Sequence, residues 1–174
     1  MRFLFFALVL VSACTEAPTE TVDDAAPVSS SAASQEMDPE TRAAMEAATD
    51  TVSVAPVQDV MPEAAGPEVV ARGAFSGASG HDVTGEALLY RLDDGSHLVR
   101  LEGFATDNGP ALEVWLIRRT SGDIARGGAS LGALKSTNGN QNYPVPSGIA
   151  AEDFAGVSVW CERFSVNFGT APLE

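Results

Sequence analysis

Histidine and cysteine are nearly absent from these 174 residues, two of each, and the shortage excludes whole classes of chemistry. His81 and His97 have no metal-ligand spacing to one another, so a structural zinc site lacks ligands. A blue-copper site wants one Cys, two His and an axial Met. No histidine follows Cys161, and Met1, Met37, Met45 and Met61 all precede the domain that the sequence delimits, so that site is excluded too and no metal is expected. The serines lack a recognisable elbow with His and Asp partners, which removes the hydrolase reading. Basic residues are scarce, 10 against 24 acidic for a net charge of -14, which argues against nucleic acid as a partner. Aromatic residues are missing altogether from Thr15 to Gly66. That stretch of Ala, Glu, Asp, Ser, Thr and Pro cannot bury enough apolar surface to offset the entropy of ordering, and it reads as a disordered linker. It also holds the acidity, with 12 acidic residues and the single basic Arg42 between Thr15 and Glu68. One local exception is Asp38-Pro39, where Asp38 suits an N-cap, Pro39 the first helical position, and alanines follow.

What is present begins with the N-terminus. Arg2, the apolar run Phe3 to Val11, too short to span a bilayer, and Val11-Ser-Ala-Cys14 resemble a bacterial lipoprotein signal with its lipobox. The resemblance implies cleavage before Cys14, acylation of that residue (palmitate among the chains) and attachment to the cell-envelope membrane on the periplasmic side. Thr15 stands where an aspartate would suggest inner-membrane retention, so the outer membrane is expected. Residues 1–13 are then a signal peptide, 14–68 the lipidated cysteine with its acidic linker, and 69–174 the folded domain. With Cys14 taken by lipid, Cys161 has no partner for an intrachain disulfide. Exported proteins usually pair their cysteines, so a lone thiol there is buried, bound to something or part of the chemistry.

From Val69 onward the pattern is strand after strand. Val69 to Phe75 is followed by a Gly77-Ala-Ser-Gly80 loop, and Val83 to Leu92 and His97 to Phe104 flank Asp93-Asp94-Gly95, a hairpin signal. Val99 and Leu101 alternate with Arg100 and Glu102, which predicts one wet face. Leu112 to Ile117 predicts a central strand apolar on both faces, and Arg118 to Ser130 a polar excursion. Ser136 to Asn140 predicts a turn, whose amides through Gln141 are structural or line a ligand rim, and Pro144 makes the following segment an edge strand. The sum is an all-β antiparallel sandwich behind a lipoprotein signal and a disordered acidic linker.

The organising stretch is Gly156-Val-Ser-Val-Trp160-Cys161-Glu-Arg-Phe-Ser-Val-Asn-Phe168-Gly169. Val157, Val159 and Cys161 share one parity and point inward. After Arg163 the apolar parity passes to Phe164, Val166 and Phe168, which predicts a bulge or bend near Cys161 to Arg163. Cys161 is either a small buried hydrophobe or a functional thiol, for which Arg163 is the candidate thiolate stabiliser. His97 reads as a solvated turn residue.

Gly73-x-Phe75, His81, Gly85, Leu101-x-x-Phe104 and Gly109-Pro110-x-Leu-x-Val-x-Leu116 resemble the opening half of the DM-thirteen domain family. Leu131-Gly-x-Leu-Lys135, Gly139-Asn-Gln-x-Tyr143, Pro146 and Trp160-Cys161-x-x-Phe164-x-Val-x-Phe168-Gly169-x-Ala-Pro-Leu173 resemble its second half. The resemblance implies a β-sandwich module for electron transfer with its hallmark cysteine at Cys161, acting as a bare thiol or holding a prosthetic group such as haem. His81 and Trp160 are the further candidate cofactor-binding residues. A redox partner must then be another envelope protein. Two readings stand: a lipid-tethered redox carrier, not a self-sufficient enzyme, and a non-catalytic envelope binding domain in which Cys161 merely packs.

Overall fold

The computed structural model describes residues 37–62 and 67–174. The signal peptide, Cys14 and the first part of the linker lie outside the described residues. Helix α1 (Pro39–Glu46) is followed by strands β1 (Val57–Gln58), β2 (Glu68–Ala74), β3 (Ser76–Gly77), β4 (Val83–Arg91), β5 (His97–Thr106), β6 (Leu112–Ile117), β7 (Ala129–Ala133), β8 (Asn138–Pro144), β9 (Gly156–Cys161) and β10 (Val166–Pro172). One sheet runs β1-β8-β5-β4-β2 and the other β3-β10-β9-β6-β7, antiparallel except that β1 lies parallel to β8. Leu89 of β4 and Val99 and Leu101 of β5 enter the space between the sheets, and the register shift between Leu101 and Phe104 brings Phe104 to the same side. There they meet Leu112, Val114, Leu116, Val157 and Val159 of β6 and β9. The expected all-β sandwich is what forms.

The hairpin at Asp93-Asp94-Gly95 forms for the reason its sequence gives. Gly95 has a φ of +79°, and Asp94 accepts from both the N–H and the hydroxyl of Ser96. β6 is central, between β9 and β7, with Leu112, Val114, Leu116 and Ile117 buried. Pro144 sits on β8, whose outer edge carries only the two-residue β1.

Residues 37–62 depart from the linker expectation. Asp38 caps α1, accepting from the Thr41 N–H at 2.9 Å, and Met45 reaches the core cluster. The following strap crosses the sandwich: Thr51 bridges Pro110, Val52 exchanges two hydrogen bonds with the Asn108 side chain, and Val57 and Gln58 pair with Gly139 and Asn140. Ser136, Asn138 and Asn142 donate side-chain bonds to the carbonyls of Ala55, Val54 and Val60. Asp59 pairs with Lys135, whose ammonium holds its carboxyl below the ordinary range. Asn138 to Gln141 is thus strand, not turn, and its outward amides seat the chain's own strap in place of a ligand. Gly139 is required there: with φ at +108°, a Cβ would lie 1.9 Å from the Val57 carbonyl oxygen. The same strap covers the face of β5 expected to be wet, so Arg100 is buried, bonded to Glu102, Asn142 and the Asp59 carbonyl.

Candidate functional site

Cys161 ends β9, opposite Leu112 on one side and Val166 on the other. The register change predicted around it has two separate causes. A four-residue turn, Glu162 to Ser165, with Ser165 at φ +54°, joins β9 to β10 into a hairpin. The bulge lies further on, where Asn167 faces Trp160 but Gly169 faces Val159, leaving Phe168 as the extra residue. A Cβ on Gly169 would lie 2.6 Å from Val83, so glycine lets the strand resume its inward face directly after the large ring.

The Cys161 thiol is 0% exposed. It donates to the Pro110 carbonyl at 3.1 Å. Burial pushes its pKa up, and the backbone N–H groups of Phe164 and Arg163, with the Arg163 charge, only partly oppose that. Arg163, the expected thiolate stabiliser, is turned to Asp50 of the strap at 2.6 Å, and Asp50 itself raises the thiol pKa. The strap is therefore tied on both sides of the cysteine, to Arg163 in the turn after it and to Pro110, whose carbonyl holds it.

His81 lies on the neighbouring face of the same Asn108-Gly109-Pro110 turn. Its ring stacks on Phe168 with centroids 3.6 Å apart and planes at 5°. Gly109 leaves room for that phenylalanine, since a Cβ there would lie 2.6 Å from Cζ. The His81 side chain is 12% exposed, with Nδ1 3.5 Å from Asp107 Oδ2. Nε2 is buried without a partner. An unsatisfied buried polar atom costs about 1 to 3 kcal/mol, and among the described residues the Thr106 hydroxyl shares this state. Met37, just before the Asp38 cap, and Arg42, Met45 and Glu46 of α1 line a cleft of about 210 Å³ together with His81 and Asp107.

Trp160 points to the outer face of its sheet, beside Trp115 at 6.2 Å between ring centroids, away from both the sulfur and His81. His97, at the far hairpin, lines a second cleft of about 430 Å³ with Leu89, Arg91, Phe154 and Leu173. The sequence candidates therefore divide: Cys161 and His81 flank one turn, and Trp160 joins neither. Nothing in the local sequence of Asp50 or Asp107 signals a partner so far along the chain, and Met37 and Met45, which precede the domain expected from the sequence, are packed against it. One motif, Gly128-x-Ser130-x-Gly132, does have nucleophile-elbow spacing, but Ser130 lies on an edge strand and donates to Glu113 at 2.6 Å, with no histidine at hand.

Haem ligation by Cys161 does not fit. The sulfur is sealed by Pro110 and the core, and neither cleft includes Cys161 in its lining.

Burial pushes the His81 pKa below its ordinary 6.5, with Asp107 and Asp82 opposing and Arg42 assisting. A depressed pKa means that the unfolded chain binds the proton more tightly. Stability should then be lost as pH falls below 6.5 toward the folded-state value. Urea unfolding in chelator between pH 7.5 and 5.5 should show this loss, and His81→Gln should flatten it. An unchanged slope in the variant would remove His81 as the cause.

Among the comparisons with known proteins, the family model described as Electron transfer DM13 matches residues 74–173. No curated protein and no solved structure matches. The match takes in His81, the Gly109-Pro110 turn and the whole Cys161 hairpin, and the chain belongs to the DM13 electron-transfer family.

Proposed function

We propose that this chain is an electron-transfer lipoprotein of the cell envelope, acylated at Cys14 and tethered on the periplasmic side, at the outer membrane. In this reading Cys161 exchanges electrons, as a bare thiol, with an envelope protein that carries a disulfide. The observation that carries it is the immediate setting of the sulfur. Two amide N–H groups favour the thiolate against the burial and the Pro110 carbonyl that favour the neutral thiol, and the cover over the sulfur is partly a surface ion pair. Such N–H pairs form anion-binding concavities, while exposed ion pairs contribute only about 0 to 1 kcal/mol.

When the Asp50–Thr51 segment lifts, water reaches the sulfur and the burial penalty on the thiolate falls. Cys161 loses its proton to solvent, and Sγ attacks one sulfur of the partner disulfide. A new S–S bond forms to Cys161 as the partner's S–S bond breaks. The leaving sulfur departs as a thiolate carrying the electron pair and takes up a proton.

The test uses the full chain with Cys14→Ser, leaving Cys161 as the one thiol, and oxidised glutathione as the disulfide. Asp50→Ala should raise the rate of the mixed-disulfide mass shift by up to about fivefold, the equivalent of a surface ion pair, while thermal unfolding stays nearly unchanged. If both proteins react only at their rate of global unfolding, the redox reading fails. Cys161 is then a packed core residue of an envelope binding domain.

A further inference from the structure

The unpartnered nitrogen of His81 belongs to neither the thiol nor the strap, and it has the environment of a metal ligand. Asp107 faces Nδ1 at 3.5 Å, the arrangement by which carboxylates orient metal-bound imidazoles. A proton held on Nδ1 leaves the lone pair on Nε2, the atom that is buried without a hydrogen bond. A buried polar group with no partner calls for a water or an ion.

The other walls of this cleft specify which ion. Met37 and Met45 both line it, and thioethers with an imidazole are soft donors that select copper(I) over zinc or magnesium. Arg42 also lines the cleft, but Glu46 and Asp107 offset it, so the walls carry no net positive charge against a monovalent cation. Among the described residues no group of three His, Cys, Asp or Glu side chains is placed to hold a metal, so a harder divalent ion finds no competing set here. Asp38 caps the helix that carries Met45 to the sandwich, and Met37 directly precedes that cap.

We propose that His81 Nε2, with the Met37 and Met45 thioethers, forms a copper(I) site closed by α1 and oriented by Asp107. The site is independent of Cys161 chemistry and stands or falls without it.

The test is anaerobic titration of the full chain, carrying Cys14→Ser and held in detergent, with copper(I) against a chromophoric copper(I) chelator. One equivalent should bind, with Cys161→Ser leaving the affinity unchanged. His81→Gln, or Met37→Leu with Met45→Leu, a volume-conserving pair, should each weaken it more than about tenfold. Asp107→Asn should weaken it about 10- to 100-fold, the usual effect of losing a carboxylate behind a ligating histidine. The methyl resonances of Met37 and Met45, and not that of Met61, should shift on binding. No competition with the chelator would leave a water as the partner of Nε2 and overturn the proposal. Binding that disappears with Cys161→Ser, or that survives the His81 and methionine changes, would overturn it equally.

Discussion

Gly73→Ala should destabilise the domain by about 3 kcal/mol or more, although it adds one methyl group to an ordinary strand position. A Cβ at Gly73 would lie 1.8 Å from the Pro172 carbonyl oxygen, and the obstacle is backbone. Arg72 and Glu174 exchange two backbone hydrogen bonds beside it, so β2 of one sheet and the chain's end beyond β10 of the other form a seam. Overpacking usually costs about 1 to 3 kcal/mol where side chains can repack. Here no rotamer change relieves the contact, and the seam must part. The check is thermal unfolding, with a fall in Tm on the order of 10 °C or more. Gly95→Ala is the matched control: nothing lies within 4 Å of its Cβ, and only its φ of +79° is strained, so about 1 to 2 kcal/mol is expected. Equal effects at the two sites would show that the seam yields easily.

The sandwich was legible because its signals are local. Asp94-Gly95 fixes a turn within three residues, and the alternation of Val99 and Leu101 fixes a face within one strand. The strap was not legible, because its order comes from the other end of the chain. Ser53 to Val60 contribute little apolar burial, and the side chains of Ser136, Asn138, Asn140 and Asn142 that hold them lie about 80 residues away. A composition argument that counts apolar surface misses order supplied by hydrogen bonds. The trace that was readable, Asp38 before Pro39, marked a real helix. Its anchor is Met45, which a linker reading treats as incidental.

The same distinction governs the site. Parity alone placed Cys161 inward, and its burial follows from Val157 and Val159 beside it in β9. What parity could not give is the company of the sulfur, since Pro110, Asp50 and the Glu162 to Ser165 turn come from three parts of the chain. For His81, the sequence supplied a glycine-rich approach and no hint of Phe168 stacked against it. The bulge that frees Phe168 leaves no local mark beyond Gly169, whose missing side chain clears Val83.

Phe168→Ala should be the most damaging core truncation, because one ring serves two environments. It is fully buried in the core cluster, between His81 and the Gly109 turn. Removal of a buried phenylalanine costs about 3 to 5 kcal/mol through lost transfer energy and the cavity left behind. This site should lie toward the upper end, since Gly109 on one side of the ring has no side chain with which to fill the space. A second consequence separates this variant from other core truncations. The stacked ring is part of what desolvates His81, and desolvation is the largest cause of its lowered pKa. Without the ring, water reaches the imidazole and its pKa should rise toward 6.5, so the stability lost between pH 7.5 and 5.5 should shrink. Val99→Ala, in the same core but on β5, should lower stability and leave that pH dependence intact. The measurement is urea unfolding across this pH range in chelator, together with the His81 titration followed by NMR. A Phe168→Ala protein that keeps the wild-type titration of His81 would show that the burial comes from α1 and the loops, and that the stacking is only contact.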